Sequence, residues 1–327
     1  MRRQAAIAGA VALGLAVLAG CTPDVPPAVT APDAQETSAI TQTQIDRIVP
    51  ATFAELAAAD EAADADLLGE RVGGMVPRIR AAEYVKVEAG DDAALEEIPD
   101  TMQAVYVSAE GEFPRMMVGV TEAPEGNTPL VLLWLQDDID SEYQLQNWAH
   151  MIPGATLPAM PGIAVGSDQL ALDGAEVSPS PQQVVQDYVT LLQEGAKSDL
   201  ADEFEDDTFR EQLFAARKVL NTAAKKGDGK YVDTIEPDED GTYALATADG
   251  GALVFAPLLV KSSLRVEGDA TVSISDTDKA LVKGKLTDRV THTYRDLVVI
   301  HIPPADAEDA KPAVVAADHH LVKVEAK

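Results

Sequence analysis

Ser180-Pro181-Gln182-Gln183-Val184-Val185-Gln186-Asp187-Tyr188-Val189-Thr190-Leu191-Leu192 reads as an amphipathic helix with its start written in. Ser180 suits the N-cap, Pro181 the first helical position, and Gln183 stands three residues after the serine, the spacing of a capping box. Val184, Val185, Tyr188, Leu191 and Leu192 then share one apolar face. A second helix is expected from about Thr208 to Lys226, with Phe209, Leu213, Ala216, Leu220 and Ala223 along one side. Lys225 and Lys226 lie at the negative end of its dipole, and Gly227 follows as a stop. After it come only strand-like segments, near Tyr231–Ile235, Thr242–Thr247, Ala252–Val266, Ala270–Ser275, Val290–Ile302 and Ala313–Val324. Helices precede strands without alternating with them. That order disfavours a doubly wound α/β sheet and points to the α+β class.

The preceding part of the chain repeats the order. Ile45, Ile48, Val49, Phe53 and Leu56 fall near a helical stripe, which Pro50 is expected to kink or restart. Strand-like segments follow at Tyr84–Glu88, Met102–Ala109, Arg115–Glu122, Leu130–Leu135 and Tyr143–Met151. Leu130-Val131-Leu132-Leu133-Trp134-Leu135 is apolar throughout, as a strand covered on both faces requires. Pro124-Glu125-Gly126-Asn127 marks a turn. The reading is α+β: two tandem domains, residues 41–172 and 180–327, joined by a linker at 173–179. Each carries N-terminal helices on a curved, mainly antiparallel sheet. On element order alone, both resemble the cones of cystatin-like and nuclear-transport-factor-2-like domains.

The amino terminus is a different kind of sequence. Met1-Arg2-Arg3-Gln4 is cationic, Ala5 to Leu18 is uncharged and apolar, and Leu18-Ala19-Gly20-Cys21 follows. The apolar run is short for a membrane-spanning helix, which needs about 20 residues. These residues resemble the lipobox of bacterial lipoproteins: a branched apolar residue, two small residues, then cysteine. The resemblance implies a signal peptide over residues 1–20, cleavage before Cys21, and acyl chains such as palmitate on Cys21 as the new terminus. Two chains on one residue meet the requirement for stable anchoring, on the extracytoplasmic face of the cell membrane. Residues 21–40 hold four prolines and no periodic apolar face, and read as a disordered tether. At ~3.1 Å per residue it could reach roughly 60 Å. Lipobox, tether and the Leu67–Gly74 segment together resemble uncharacterised lipoproteins of high-GC Gram-positive bacteria, a resemblance that brings no activity with it.

Charge narrows the partners. With 25 Lys/Arg against 55 Asp/Glu the formal net charge is −30, which repels phosphate backbones and argues against nucleic acid. The first unit is the more acidic of the two, so it is the one expected to face a basic partner or divalent ions if either does. Cys21 is the only cysteine, so neither an intrachain disulfide nor a cysteine-based zinc site can form.

No catalytic motif stands out. A G-x-S-x-G elbow, a G-x-G-x-x-G turn and a phosphate-binding P-loop are all missing from the sequence. His319 and His320 are neighbours in a strand, so their side chains point to opposite faces and cannot chelate together. His292, Tyr294 and Asp296 share a strand face and could line the mouth of a cone, a possible pocket; a polar strand end explains them as well. His301 points away from that face, and packing explains His150 beside Trp148 as well as function does. Asp238-Glu239-Asp240-Gly241-Thr242 has the opening of a calcium loop, but Gly250 stands where the bidentate glutamate belongs, so a polar turn is preferred. Asp137-Asp138-Ile139-Asp140-Ser141-Glu142 reads as a solvated loop, and Met116, Met117, Trp134 and Trp148 as core. The expectation is therefore no catalytic residue, no metal and no cofactor. The chain reads as a non-enzymatic, outward-facing lipoprotein that binds a protein partner or small ligand or assists envelope assembly. The alternatives are an envelope hydrolase with dispersed catalytic residues and the solute-binding lipoprotein of an uptake system, which would need parallel α/β lobes.

Overall fold

The structure, a computed structural model, describes residues 6–7, 38–124 and 126–327. Cys21, most of the signal segment and most of the tether lie outside these residues, as does Glu125 of the expected turn.

Helix α1 runs over Gln42–Ala62, and Thr41 and Gln44 close a capping box at its start. It continues through Pro50 instead of restarting. Pro50 lies on the exposed side of the helix, so the carbonyl four residues back that loses its N–H partner can bond water. Ile45, Ile48, Val49, Thr52, Leu56 and Ala59 form the buried stripe. The segment Tyr84–Glu88, expected as a strand, is instead the end of helix α2 (Val76–Glu88), which opens with Pro77 in its first turn. Of its buried residues, Val76, Ile79, Arg80 and Tyr84 keep helical spacing, and Ala82 is buried beside them. Arg80 sits in that stripe, and a charged residue on the inward face is what hides the helix from a periodicity reading.

Four antiparallel strands follow in sequential order: β2 (Met102–Val107), β3 (Arg115–Thr121), β4 (Leu130–Gln136) and β5 (Gln144–His150). Residues 130–135 of β4 are all buried, so the strand is covered on both faces as expected. The second unit opens with α3 (Pro181–Glu194), where Ser180 accepts from the Gln183 N–H at 3.3 Å, and α4 (Thr208–Lys226). The strands behind them are β6 (Lys230–Pro237), β7 (Tyr243–Ala246), β8 (Ala252–Arg265), β9 (Thr271–Val272), β10 (Val282–Gly284), β11 (Arg289–Ile302) and β12 (Ala313–Ala326). They form a sheet of order β10-β12-β11-β8-β6, with β7 also on β8. Only short β10 runs parallel to its neighbour in this sheet. A two-residue strand, β1 (Ala6–Ile7), pairs in parallel with β9. The chain is thus α+β with mainly antiparallel sheets.

The long strands show how the units meet. Val254, Ala256, Val298 and Ile300 point into a cluster with Val184, Tyr188 and Leu192 of α3. Their neighbours Leu253, Phe255, Leu297 and Val299 point the other way, into a cluster with α1, α2 and the four-stranded sheet. Residues 252–258 of β8 are buried without a break for this reason. Met151 bridges Ala316 across the two units, and the Ile152 N–H donates to the Val315 carbonyl at 2.9 Å. Ser38 bridges Ala109 and Ile40 is buried, so the last residues of the expected tether are packed against the first sheet.

Candidate functional site

The described residues enclose an open cavity of about 370 Å³ where the first turns of α1 cross the ends of β3, β4 and β5. That volume is in the range of small-molecule sites. Arg47 comes from α1, Arg71 from the segment before α2, Arg115 from the start of β3, Gln136 from the end of β4, and Glu142 and Tyr143 from the β4–β5 connection. Residues 41–178 carry six Lys/Arg against 25 Asp/Glu, and three of the six line this one groove. Arg71 pairs with Glu142 at 3.0 Å, and the Arg115 guanidinium lies over the Phe113 ring at 4.7 Å. Glu142 is the one carboxylate among the lining residues, so the groove is a cationic spot on an acidic body.

Three polar atoms there are buried and have no hydrogen-bond partner: Arg115 Nε, Gln136 Oε1 and the Tyr143 hydroxyl. Burial pushes the Tyr143 phenol above its usual range, with nearby Arg115 pulling the other way, so it stays protonated and able to donate. Guanidiniums and a phenol O–H present donors in a set that suits a carboxylate or phosphate. No periodicity marks this groove: 47, 71 and 115 are brought together by tertiary contacts, Arg71 through the backbone hydrogen bonds of Arg71 and Gly73 with Leu145 in β5.

The possible pocket read from the sequence forms a different site. His292 and Tyr294 lie with ring centroids 6.2 Å apart, and Tyr294 stacks on His319 at 3.8 Å. His319 Nδ1 is 2.7 Å from Asp296 Oδ1. Asp296 is fully buried, with Oδ2 unpartnered, so it faces the interior beneath the helices and does not open at a mouth. Burial lowers the pKa of His292 and raises that of Tyr294. The residue that completes this array, His319, was legible only as one of a pair in a strand.

His320 does point to the other face, as strand alternation requires, and enters a third polar group with Glu83, Glu96, His150 and Asp318. His150 is more than a packing residue: Nδ1 lies 2.9 Å from Asp318 Oδ2 and 3.2 Å from Glu96 Oε1, and Nε2 meets the Asn127 amide at 2.9 Å. Burial would lower the His150 pKa, but the hydrogen bond and charge of Asp318 and the charge of Glu96 prevail and push it up to about 9.

The remaining expectations resolve simply. The Asp238–Asp240 loop is answered by the chain's own cations: Arg295 pairs with Asp238, and Arg78 with Glu239 at 3.1 Å and Asp240 at 3.0 Å. Asp138 caps its own turn by accepting from the Asp140 and Ser141 N–H groups, each at 2.9 Å. Met116, Met117, Trp134 and Trp148 are core.

Comparison with known proteins gives kinship without a mechanism. An uncharacterized lipoprotein of Streptomyces coelicolor is 27% identical over 204 residues, 60% of each chain. An uncharacterized lipoprotein of Streptomyces avermitilis is 27% identical over 248 residues, 72% of this chain and 71% of the relative. The alignment thus spans less than two thirds of the first relative's length. No solved structure matches, so the likeness to cystatin-like and nuclear-transport-factor-2-like cones stays one of element order. No described helix is long and apolar enough to cross a membrane. The family model described as a domain of unknown function (DUF8094) matches residues 36–325, which take in the two larger sheets and the four α-helices of the described residues, and the chain belongs to that family of uncharacterised lipoproteins.

Proposed function

We propose that this chain is an outward-facing, lipid-anchored binding protein of non-enzymatic type, and that its arginine groove holds a small ligand bearing a carboxylate or phosphate. The observation that carries the reading is the meeting of Arg47, Arg71 and Arg115 around an unpartnered Tyr143 hydroxyl, in a domain otherwise dominated by acids. A body of this charge repels anions at long range, so the groove selects at contact distance, through bidentate and phenolic hydrogen bonds. An incoming anion would take Arg71 from Glu142. Citrate and inorganic pyrophosphate serve as probes in titration calorimetry. Arg115→Gln is expected to weaken binding by about tenfold or more, the worth of one charge-assisted hydrogen bond. Equal affinities in Arg115→Gln and the unaltered protein, or no heat with either probe, would remove the groove as the ligand site.

Anchoring is tested separately. A Cys21→Ser precursor is expected to take up no labelled fatty acid and to leave the membrane fraction. Labelling and fractionation unchanged from the natural sequence would reject lipid attachment at this residue, whatever the groove binds.

A second reading, the envelope hydrolase, is favoured by the Asp296–His319 pair, in which a buried carboxylate orients an imidazole as in a general base. The ring is stacked on Tyr294 and set edge-on to Phe209, neither of which is a hydroxyl or thiol nucleophile of the usual kind. The uptake-system reading needs two parallel α/β lobes, and the antiparallel sheets leave it without that fold.

A further inference from the structure

We propose that Glu96, His150 and Asp318 form a binding site for a divalent transition-metal ion of the zinc kind, which fastens the first unit to the second. Each residue offers one donor atom, and these atoms all lie within 4.8 Å of one another. His150 Nδ1 stands 2.9 Å from Asp318 Oδ2 and 3.2 Å from Glu96 Oε1. Around a tetrahedral zinc with bonds of 2.0–2.2 Å, neighbouring ligand atoms are about 3.3 Å apart. The two separations from His150 Nδ1 therefore lie close to the spacing of a coordination shell, with the third pair within 4.8 Å and the His150 proton where the ion would go.

Partner groups around the donors fit the same reading. Glu96 Oε2 accepts from the Trp148 indole at 2.8 Å, while Glu96 Oε1 is buried with no hydrogen-bond partner. Asp318 Oδ2 accepts from the His150 backbone N–H at 2.9 Å, and Asn127 braces the far nitrogen of His150 at 2.9 Å. Such outer contacts fix a ligand's orientation. His320, with its side chain nine-tenths buried and Nε2 unpartnered, has Nδ1 3.8 Å from Glu96 Oε2 and belongs to an adjoining set of donors with Glu83 and Glu96. The nearby cation Arg80 is engaged by Asp60 and Glu83, so Glu96 and Asp318 have His150 as their close counter-charge. A divalent ion replacing the His150 proton would balance both carboxylates.

Position gives the ion its purpose. Glu96 precedes the first sheet and His150 ends β5, whereas Asp318 lies in β12 of the second unit. The ion would sit beside the Met151–Ala316 bridge and hold the two sheets together where they meet.

The experiment uses the full chain in detergent, stripped with a chelator and titrated with zinc against a chromophoric competitor. One equivalent is expected to bind, and Glu96→Gln and Asp318→Asn are each expected to weaken it by at least tenfold. His292→Gln, on the opposite face of the second sheet, is expected to leave the affinity unchanged. No stoichiometric binding, or equal affinity in the Glu96 and Asp318 variants, overturns the site. Should those variants fail to fold, X-ray absorption of the zinc-loaded unaltered chain decides. Nitrogen and oxygen ligands with one or two imidazoles support the site; sulfur or no imidazole overturns it.

Discussion

Arg80→Ala is expected to destabilise the folded chain by about 3–5 kcal/mol at neutral pH, the usual loss when one member of a buried ion pair is removed. Arg80 is 1% exposed although it belongs to a helix whose other face meets water. Its Nη1 reaches Glu83 Oε2 at 2.6 Å and the Glu96 carbonyl at 3.0 Å, and its Nε lies 3.3 Å from Asp60 Oδ1. The guanidinium also rests 5.2 Å from the Trp148 ring centre, so its stem and plane fill space in the core. Alanine removes the packing and strands Glu83 at the same time. Arg80→Lys is expected to recover only part of the loss, because an ammonium cannot reach Asp60, Glu83 and a carbonyl with one planar fork. Urea denaturation measures both variants. A midpoint for Arg80→Ala within error of the unaltered protein would show that the buried ion pairs add nothing net.

Arg80 also shows where the sequence stopped being readable. The helices α3 and α4 announce themselves because their inward faces are apolar and their ends carry Ser180, Pro181, Lys225 and Gly227. The strands β3, β4, β8 and β11 are continuous or alternating apolar runs, and their extents fall within a few residues of expectation. In α2, by contrast, an arginine occupies an inward position, and the Tyr84-Val85-Lys86-Val87 alternation imitates a strand. Helical spacing there makes sense only once Asp60, Glu83 and Glu96 are seen to receive the charge.

The sites divide in the same way. His292, Tyr294 and Asp296 were legible because strand alternation puts them on one face, and the structure keeps them together with His319 added by the neighbouring strand. The arginine groove and the Glu96–His150–Asp318 group draw on residues more than twenty and more than fifty positions apart, joined by strand register and helix crossing. Periodicity carries no information at such separations.

Glu83 supplies the second large effect, a fall in stability as pH rises. Burial raises its pKa from 4.5 to about 7, even against the opposing charge and hydrogen bond of Arg80. The folded chain therefore keeps a proton on Glu83 at pH values where the unfolded chain has released it. Stability changes with pH as the proton count of the unfolded state minus that of the folded state, so the slope is negative across this window. The contribution is whole below 4.5 and is lost as pH climbs through about 7. A shift of that size on a side chain 12% exposed corresponds to about 3 kcal/mol. His150, raised to about 9, acts in the same direction at higher pH, whereas His292, His301 and His320, lowered by burial, oppose it as pH rises toward their ordinary range. The total profile mixes these signs, and the comparison that isolates Glu83 is with Glu83→Gln, which keeps its shape and cannot titrate. In chelator-treated buffer, urea midpoints of the unaltered chain are expected to fall relative to Glu83→Gln between about pH 5 and pH 8. The same logic makes Arg80→Ala milder at pH 5, where a protonated Glu83 needs no counter-charge, than at pH 8. Parallel pH profiles for the unaltered chain and Glu83→Gln would mean that this carboxylate ionises in the folded state as readily as in water, and that burial beside Arg80 carries no net cost.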